Sequence, residues 1–354
     1  MKSAWVLMTA MPPTTGHAAL IDFAANLVNV SDVNVVLGTQ PDEPFVDERF
    51  EALNAYCMKY PNVFTFHYDQ PIQQVPTGDD DADFWEMWRD ILFGYGQCPG
   101  DYIVSSEMYG MKLAEVTDCE FMPFDLNRNI NPIRGTDVRE DPLMYFDYIL
   151  PEFQRSLRKT VTIFGAESVG KTTLTNSLVW RINADAHADD YVQRAIGLPE
   201  WARPYLEAVG PEITEEKMRS IWFGQAAMQA SAQRSADTPF IIQDTDLYST
   251  YGYWNLWSPY TIPHGLFFAA ENSKSDLYII PQSNIPFEAD PLRYGGDKRE
   301  TSDDYWIGIC EKFDLNYVVL RSDNRNKRVN EANEIILGLF DLGCLKYDRI
   351  KETV

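Results

Sequence analysis

The eight residues Gly165-Ala166-Glu167-Ser168-Val169-Gly170-Lys171-Thr172 constrain this chain more than any other stretch. They meet every fixed position of G-x-x-x-x-G-K-[ST]. They follow the apolar run Thr160 to Phe164 and lead into a helical run from Thr173 to Trp180. Strand, glycine loop and helix in that order predict a phosphate-binding loop with a parallel sheet behind it. The loop amides would wrap the β-phosphate of a nucleotide. Gly165, Glu167, Ser168 and Gly170, with Thr173 just beyond, are therefore candidate nucleotide contacts. Lys171 would reach the β- and γ-phosphates, and Thr172 would hold Mg²⁺ through its hydroxyl.

Such a loop needs an acid at the end of a neighbouring strand. Phe240-Ile241-Ile242-Gln243 runs straight into Asp244-Thr245-Asp246. Asp244 is the better candidate for the metal shell, and Asp246 is either a ligand or a helix cap. Phosphoryl transfer also needs cations on the transferring group. Arg293 and Arg299 lie in the polar, glycine-containing stretch 290–299, which reads either as a cationic lid or as a solvated loop. The general base for a substrate hydroxyl is not identified by spacing. Asp189 and Asp190 are candidates by position, with a solvated acidic turn as the alternative.

The same alternation of short apolar runs and helix-length segments fills the chain. The runs are Ala4 to Met8, Val33 to Leu37, Val63 to Phe66, Tyr102 to Val104, Glu120 to Phe124, Thr160 to Phe164, Phe240 to Ile242, Leu277 to Ile280 and Tyr317 to Leu320. This predicts α/β architecture with parallel sheets in both halves. At 354 residues the chain has length for about two domains. Pro151 and the charged approach Arg155, Arg158, Lys159 place the boundary so that the domains are 1–155 and 156–354. Leu20, Phe23, Leu27 and Val28 predict a helix after His17. The acidic group Asp79, Asp80, Asp81 and Asp83 reads as a solvated loop.

With 53 acidic and 30 basic residues the formal charge is −23. That disfavours nucleic acid and anionic membrane as partners, but not small anionic ligands held by local donors. Five scattered cysteines without a C-x-x-C predict free thiols in a reducing cytoplasm. No apolar run approaches the length of about 18 residues that a membrane span needs, and the apolar start reads as a first strand rather than a leader. His67, His187 and His264 stand isolated and read as satisfied or solvated rather than as metal ligands.

In the first half Thr14-Thr15-Gly16-His17 lies between a strand and a helix, where a histidine can meet a phosphate or simply pack behind a capping threonine. Ile133-Arg134-Gly135-Thr136-Asp137-Val138-Arg139 precedes a second helical segment, expected to carry Pro142 in its first turn. Thr136 and Arg139 would face phosphate there. Trp85 and Trp88 sit one helical turn apart and are either ring-stacking groups or core.

These two motifs resemble the [H/T]-x-G-H and I-S-x-T-x-x-R motifs of the nucleotidylyltransferase superfamily. Ser106-Glu107, Tyr109, Gly110, Asp125 and Arg128 follow between them in order. The second half, with Gly165 to Ser168, Glu200-Trp201-Ala202-Arg203, Tyr205, Asp244-Thr245-Asp246 and the 290–299 stretch, resembles a ribosylnicotinamide kinase domain. Together they resemble NadR-type proteins in the form without an N-terminal helix-turn-helix domain. The sequence departs from the family pattern at Met8, Ala10, Arg134, Pro204 and Pro291.

The resemblance implies a Rossmann-like nucleotidylyltransferase domain followed by a P-loop kinase domain. It implies ATP and Mg²⁺ as cofactors and nicotinamide riboside, NMN and ATP as small-molecule partners, with room for a homo-oligomer. The kinase would phosphorylate nicotinamide riboside to NMN. NMN would then attack the α-phosphorus of ATP to give NAD and pyrophosphate. His17, Thr14, Arg139, Lys171 and Asp244 would be catalytic. Gly16 and Thr136 would join the nucleotide contacts, and Trp85, Trp88, Glu200, Arg203 and Asp246 would contact substrate. Arg134 motivates a narrower alternative, an active kinase joined to a first domain that only binds nicotinamide nucleotide. A DNA-binding repressor is disfavoured by the charge and by the strand that begins near residue 4.

Overall fold

The computed structural model describes residues 1–78, 81–185, 193–285 and 302–341. Among these, the chain divides into two compact units, Met1–Ser156 and the residues from Leu157 onward.

The first unit contains a parallel sheet of β1 (Lys2–Met8), β2 (Val30–Gly38), β3 (Val63–Tyr68), β4 (Tyr102–Ser105) and β5 (Glu120–Pro123), in the order β3-β2-β1-β4-β5. The chain winds outward from β1 to one edge and then crosses over to fill the other. The switch between β1 and β4 opens a crevice at the carboxyl ends of those strands. Trp5, Val36 and Ile103 on the strands pack with Phe84, Trp85, Trp88 and Leu92 of helix Ala82–Gly94.

The second unit repeats the arrangement with β6 (Lys159–Ile163), β7 (Ala195–Leu198), β8 (Phe240–Asp244), β9 (Leu277–Pro281) and β10 (Tyr317–Leu320), in the order β10-β9-β6-β8-β7. Every strand pair in both sheets is parallel. All residues of β8 and β9 are buried, as expected of strands covered by helices on both faces. Phe164, Tyr248, Trp254, Tyr278 and Trp306 form the centre of this core.

The structure differs from the sequence expectations at five places. The strand β7 was not anticipated. It is a short edge strand with Gly197 inside, so it lacks a β-branched run. Val28 lies beyond the end of helix Thr15–Ala25 and is 82% exposed. Helix Gly135–Glu140 ends before Pro142 instead of carrying it, because the residue before a proline avoids helical backbone. The stretch between the sheets is itself a helix, Pro151–Leu157. Asp81 is not a solvated loop residue. It caps helix Ala82–Gly94 by accepting from the Phe84 N–H at 3.2 Å. Asp79 and Asp80 lie outside the described residues.

Candidate functional sites

In the first unit the chain leaves β1 and enters helix Thr15–Ala25 through Thr14. The Thr14 N–H donates to His17 Nδ1 at 3.0 Å, and Thr14 Oγ1 lies 2.8 Å from the same nitrogen. His17 therefore occupies the place that Glu or Gln holds in a capping box. An N–H can only donate, so Nδ1 accepts and carries no proton. The neutral imidazole must then hold its proton on Nε2 and present an N–H there.

Arg139 reaches back over Gly135 to donate from Nη1 to the Met11 carbonyl at 2.5 Å, and its Nη2 lies 3.4 Å from Thr136 Oγ1. The loop before this motif is pinned by Asp125, whose carboxylate accepts from the N–H groups of Asn129 (2.7 Å), Ile130 (3.1 Å) and Asn131 (2.9 Å). Burial works against the charged carboxylate, but these donors hold its pKa below the ordinary value.

A cavity of about 640 Å³ brings Thr14, Gly16, His17, Thr136 and Arg139 together with Trp85 and Trp88. Both indoles are also core, at 5% and 3% exposure. Trp88 donates from Nε1 to the Gln73 carbonyl at 3.2 Å. It packs on Gly38 so closely that a Cβ there would stand 2.9 Å from Cη2. Each indole forms part of the core and part of the cavity wall. Arg134 has an exposed side chain, and its backbone N–H donates to Asp137 Oδ2 at 2.8 Å.

In the second unit β6 runs into the glycine loop. Gly165 (φ +126°) and Gly170 (φ +85°) take left-handed backbone that side chains avoid, so the loop can curl before helix Lys171–Asp185. Lys171 Nζ donates to the carbonyls of Gly165 (3.1 Å) and Ala166 (2.7 Å) and to Tyr253 Oη (3.1 Å). Tyr253 Oη in turn donates to Gly165 O at 3.1 Å.

Thr172 Oγ1 donates to Asp244 Oδ2. Asp244 is 2% exposed, and its Oδ1 is buried without a partner. Burial raises the Asp244 carboxyl above its usual range, while Lys171, the Thr172 bond and Arg203 pull it down. Burial also raises Glu200. Lys171 opposes that shift, Asp244 adds to it, Arg203 opposes it and Glu167 adds to it. An acid, a hydroxyl and an ammonium thus converge at one loop.

A cavity of about 150 Å³ is lined by Glu167, Ser168, Gly170, Thr173, Glu200 and Arg203, and Lys171 and Thr172 also border it. Leu206, Met218, Ile221 and Trp257 supply apolar lining, with Trp257 stacked on Tyr253 at 4.4 Å. Asp246 does not line this cavity. Its Oδ1 accepts from the Ser249 N–H at 2.8 Å, its Oδ2 accepts from Tyr278 Oη at 2.9 Å, and it caps helix Leu247–Trp257. Burial pushes this carboxyl up to about 6.

A family model described as an AAA domain matches residues 160–328. The trifunctional NAD biosynthesis/regulator protein NadR of Escherichia coli K12 is 24% identical over 351 residues, covering 92% of this chain and 80% of that protein. The NadR of Salmonella typhimurium LT2 matches with the same identity and coverage. A crystal structure of a NadR protein in complex with NR superposes with a TM-score of 0.65 at 19% identity, covering 99% of this chain and 98% of the other. A NadR protein in complex with NAD and AMP-PNP gives a TM-score of 0.64 at 19% identity and the same coverage.

The chain is similar to NadR over 92% of its length.

The NadR likeness extends over both units, an α/β fold with a Rossmann-like half followed by a P-loop half. Sequence reasoning missed Tyr253, which lies 82 positions from the lysine it holds. It also missed Gln225, whose Oε1 accepts from the Trp201 N–H at 3.0 Å and whose Nε2 donates to the Thr245 carbonyl at 3.4 Å. The signal for Gln225 was present. Gln225 and Gln229 stand four apart on the buried face of helix Glu215–Ser235, where polar residues need a reason.

His67 is satisfied by Thr39 Oγ1 at 2.9 Å and by stacking on Phe50, and burial lowers its pKa. His264 opens helix His264–Glu271. Cys57, Cys98, Cys119 and Cys310 are free thiols. Among the described residues no helix is long and apolar enough to cross a membrane. Arg293, Arg299, Pro291, Asp189, Asp190, His187 and Cys344 lie outside the described residues.

Proposed function

We propose that the chain makes NAD in two ATP-dependent steps, phosphorylation of nicotinamide riboside in residues 156–354 and adenylylation of the resulting NMN in residues 1–155. One observation carries this reading. At the end of each central strand lie side chains suited to phosphate, His17 with Arg139 after β1 and Lys171 with Thr172 after β6.

In the kinase step the 5′-hydroxyl oxygen of the riboside attacks the γ-phosphorus. A new O–P bond forms, the bond to the β–γ bridging oxygen breaks, ADP leaves, and the hydroxyl proton passes to a base or to solvent. Lys171 exchanges loop carbonyls for phosphate oxygens. The amides from Gly165 to Thr173 wrap the phosphates, while Glu200 and Arg203 hold the substrate. Asp246 serves the site through the helix that carries Tyr253. Arg293 and Arg299 supply further positive charge.

The donor set fits Mg²⁺. Thr172 brings a hydroxyl, and the unpartnered Asp244 Oδ1 offers an acceptor beside it. When bound there, the ion neutralises phosphate charge.

In the transfer step a phosphate oxygen of NMN attacks the α-phosphorus and pyrophosphate leaves. No covalent intermediate is needed, so the protein contributes position and charge. His17 donates from Nε2, Thr14 fixes its tautomer, Arg139 and Thr136 hold the leaving end, and Gly16 lets the phosphates approach. Trp85 and Trp88 flank the nicotinamide ring. The free thiols and the acidic surface suit a cytoplasmic protein acting on small molecules, as a monomer or a homo-oligomer.

Purified chain with nicotinamide riboside, ATP and Mg²⁺ should form NMN first and NAD later. Formation of neither overturns the reading. A second reading keeps only the kinase, with the first unit as a nicotinamide-nucleotide-binding module. It is favoured by the exposed Arg134 at the position of the motif's serine. Release of pyrophosphate from NMN and ATP rules it out.

A further inference from the structure

Arg328 is the fourth residue of helix Arg325–Asp341 and is 3% exposed. Both facts work against a cation. The start of a helix carries positive partial charge, and a guanidinium taken out of water needs acceptors in its place. Its fork finds them at the ends of three neighbouring strands. Nε donates to the Ser322 carbonyl, just beyond β10. Nη2 donates to the Gln282 carbonyl at 2.7 Å, just beyond β9, and to Asn284 Oδ1. Nη1 donates to the Val169 carbonyl at 3.2 Å, inside the phosphate loop that follows β6. The strand order β10-β9-β6 brings these acceptors within reach of one side chain.

The contact with Val169 has a direction. A trans peptide holds its C=O and N–H on opposite sides. Turning the Val169 carbonyl towards Arg328 therefore turns the Gly170 N–H away from it. Val169 is buried, whereas Gly170 borders the cavity together with Lys171 and Thr172. A glycine at this position (φ +85°) leaves the peptide plane many alternative orientations, and Arg328 selects one. The guanidinium also polarises the peptide it bonds, which strengthens the Gly170 N–H as a donor. The far side of the fork is fixed independently of the loop, since Asn284 Nδ2 donates to the Arg321 carbonyl at 2.8 Å.

We propose that Arg328 is a positioning residue of the second unit: by holding the Val169 carbonyl it aims the Gly170 amide at the nucleotide phosphates and so sets the affinity for ATP. The proposal rests on the reading that ATP occupies this loop. Arg328 does not line the cavity, so it acts through the loop and not on the ligand.

The test uses the full chain, with steady-state kinetics of riboside phosphorylation and calorimetric binding of AMP-PNP with Mg²⁺. The binding signal that is absent from Lys171→Ala reports the phosphate loop alone. Arg328→Ala should raise the KM for ATP and the Kd for AMP-PNP about tenfold and leave the KM for the riboside unchanged. Added guanidinium ion should restore ATP affinity in this variant, and methylammonium at the same concentration should not. A merely structural arginine would weaken ATP and riboside alike without rescue, and that result overturns the proposal. Unchanged AMP-PNP affinity overturns it too, as does a wild-type chain that does not bind AMP-PNP at the loop. Where Arg328→Ala does not fold, Arg328→Lys keeps the charge but cannot bridge the strand ends. It should weaken AMP-PNP several-fold, and wild-type affinity there overturns the proposal. Arg328-dependent AMP-PNP binding without riboside phosphorylation would uphold the proposal while removing the riboside as substrate.

Discussion

The Thr14 N–H points at His17 Nδ1 across 3.0 Å, and this one bond decides where the imidazole keeps its proton. A backbone amide cannot change roles, so the Nε2 N–H is set by the fold and not by the ligand. Removing the ring should therefore remove transition-state donation, on the order of 100- to 1,000-fold in kcat for NAD formation from NMN. His17→Ala should leave phosphorylation of nicotinamide riboside intact. Lys171→Ala should do the reverse. Product chromatography of both variants with both substrates checks the pair, and equal damage to both reactions would contradict separate sites.

Asp244 and Thr172 meet at the end of β8, with Asp244 Oδ1 unpartnered. Asp244→Asn keeps the size of the side chain and removes the charge. The kinase rate should fall about 100-fold or more, and the Mg²⁺ concentration for half-maximal rate should rise. NAD formation from NMN should not change. A magnesium titration of both reactions reads this out.

Burial lowers the pKa of His67, with nearby Asp69 and Asp47 opposing that shift. The folded first unit therefore prefers the neutral ring more than the unfolded chain does. This contribution to stability is complete above the unfolded value of about 6.5. It is lost as pH falls from there through the lower folded pKa, because the unfolded chain takes up the proton first. His67→Gln can keep a partner for Thr39 and cannot titrate. Thermal unfolding between pH 7.5 and about 5 should show a shallower loss for the variant than for the wild-type chain.

Gly224 lies under Trp201, and a Cβ there would stand 1.9 Å from Nε1 of the indole. Gly224→Ala must displace Trp201, which lies between Glu200 and Ala202 in sequence and is tied through Gln225 to Thr245. Overpacking of this kind costs about 1–3 kcal/mol. The variant should unfold at lower temperature and show a raised KM for the riboside, measured by calorimetry and steady-state kinetics.

The sequence runs Val33 to Leu37 and Leu277 to Ile280 became central buried strands because continuous apolar runs suit sheets covered on both faces. The phosphate loop was legible for a local reason, since its glycines, lysine and threonine lie within eight residues. Tyr253 was not legible, because it acts on a partner brought near only by the winding of the sheet and a single polar residue carries no periodic signal. Gln225 was legible only through its spacing from Gln229 on one helix face. Asp246 was read as ligand or cap, and its two bonds inside the fold place it as the cap. Trp85 and Trp88, read as ring-stacking groups or core, are buried in the core and also line the cavity.

Lys171 stands 9% exposed with its ammonium on two loop carbonyls and the Tyr253 hydroxyl. Stripping water from a lysine head group opposes ligand binding wherever a lysine must leave solvent to meet an anion. Here that dehydration has already taken place when the chain folds. An arriving triphosphate exchanges one set of oxygens around the ammonium for another that carries full charge, so the lysine releases little water on binding.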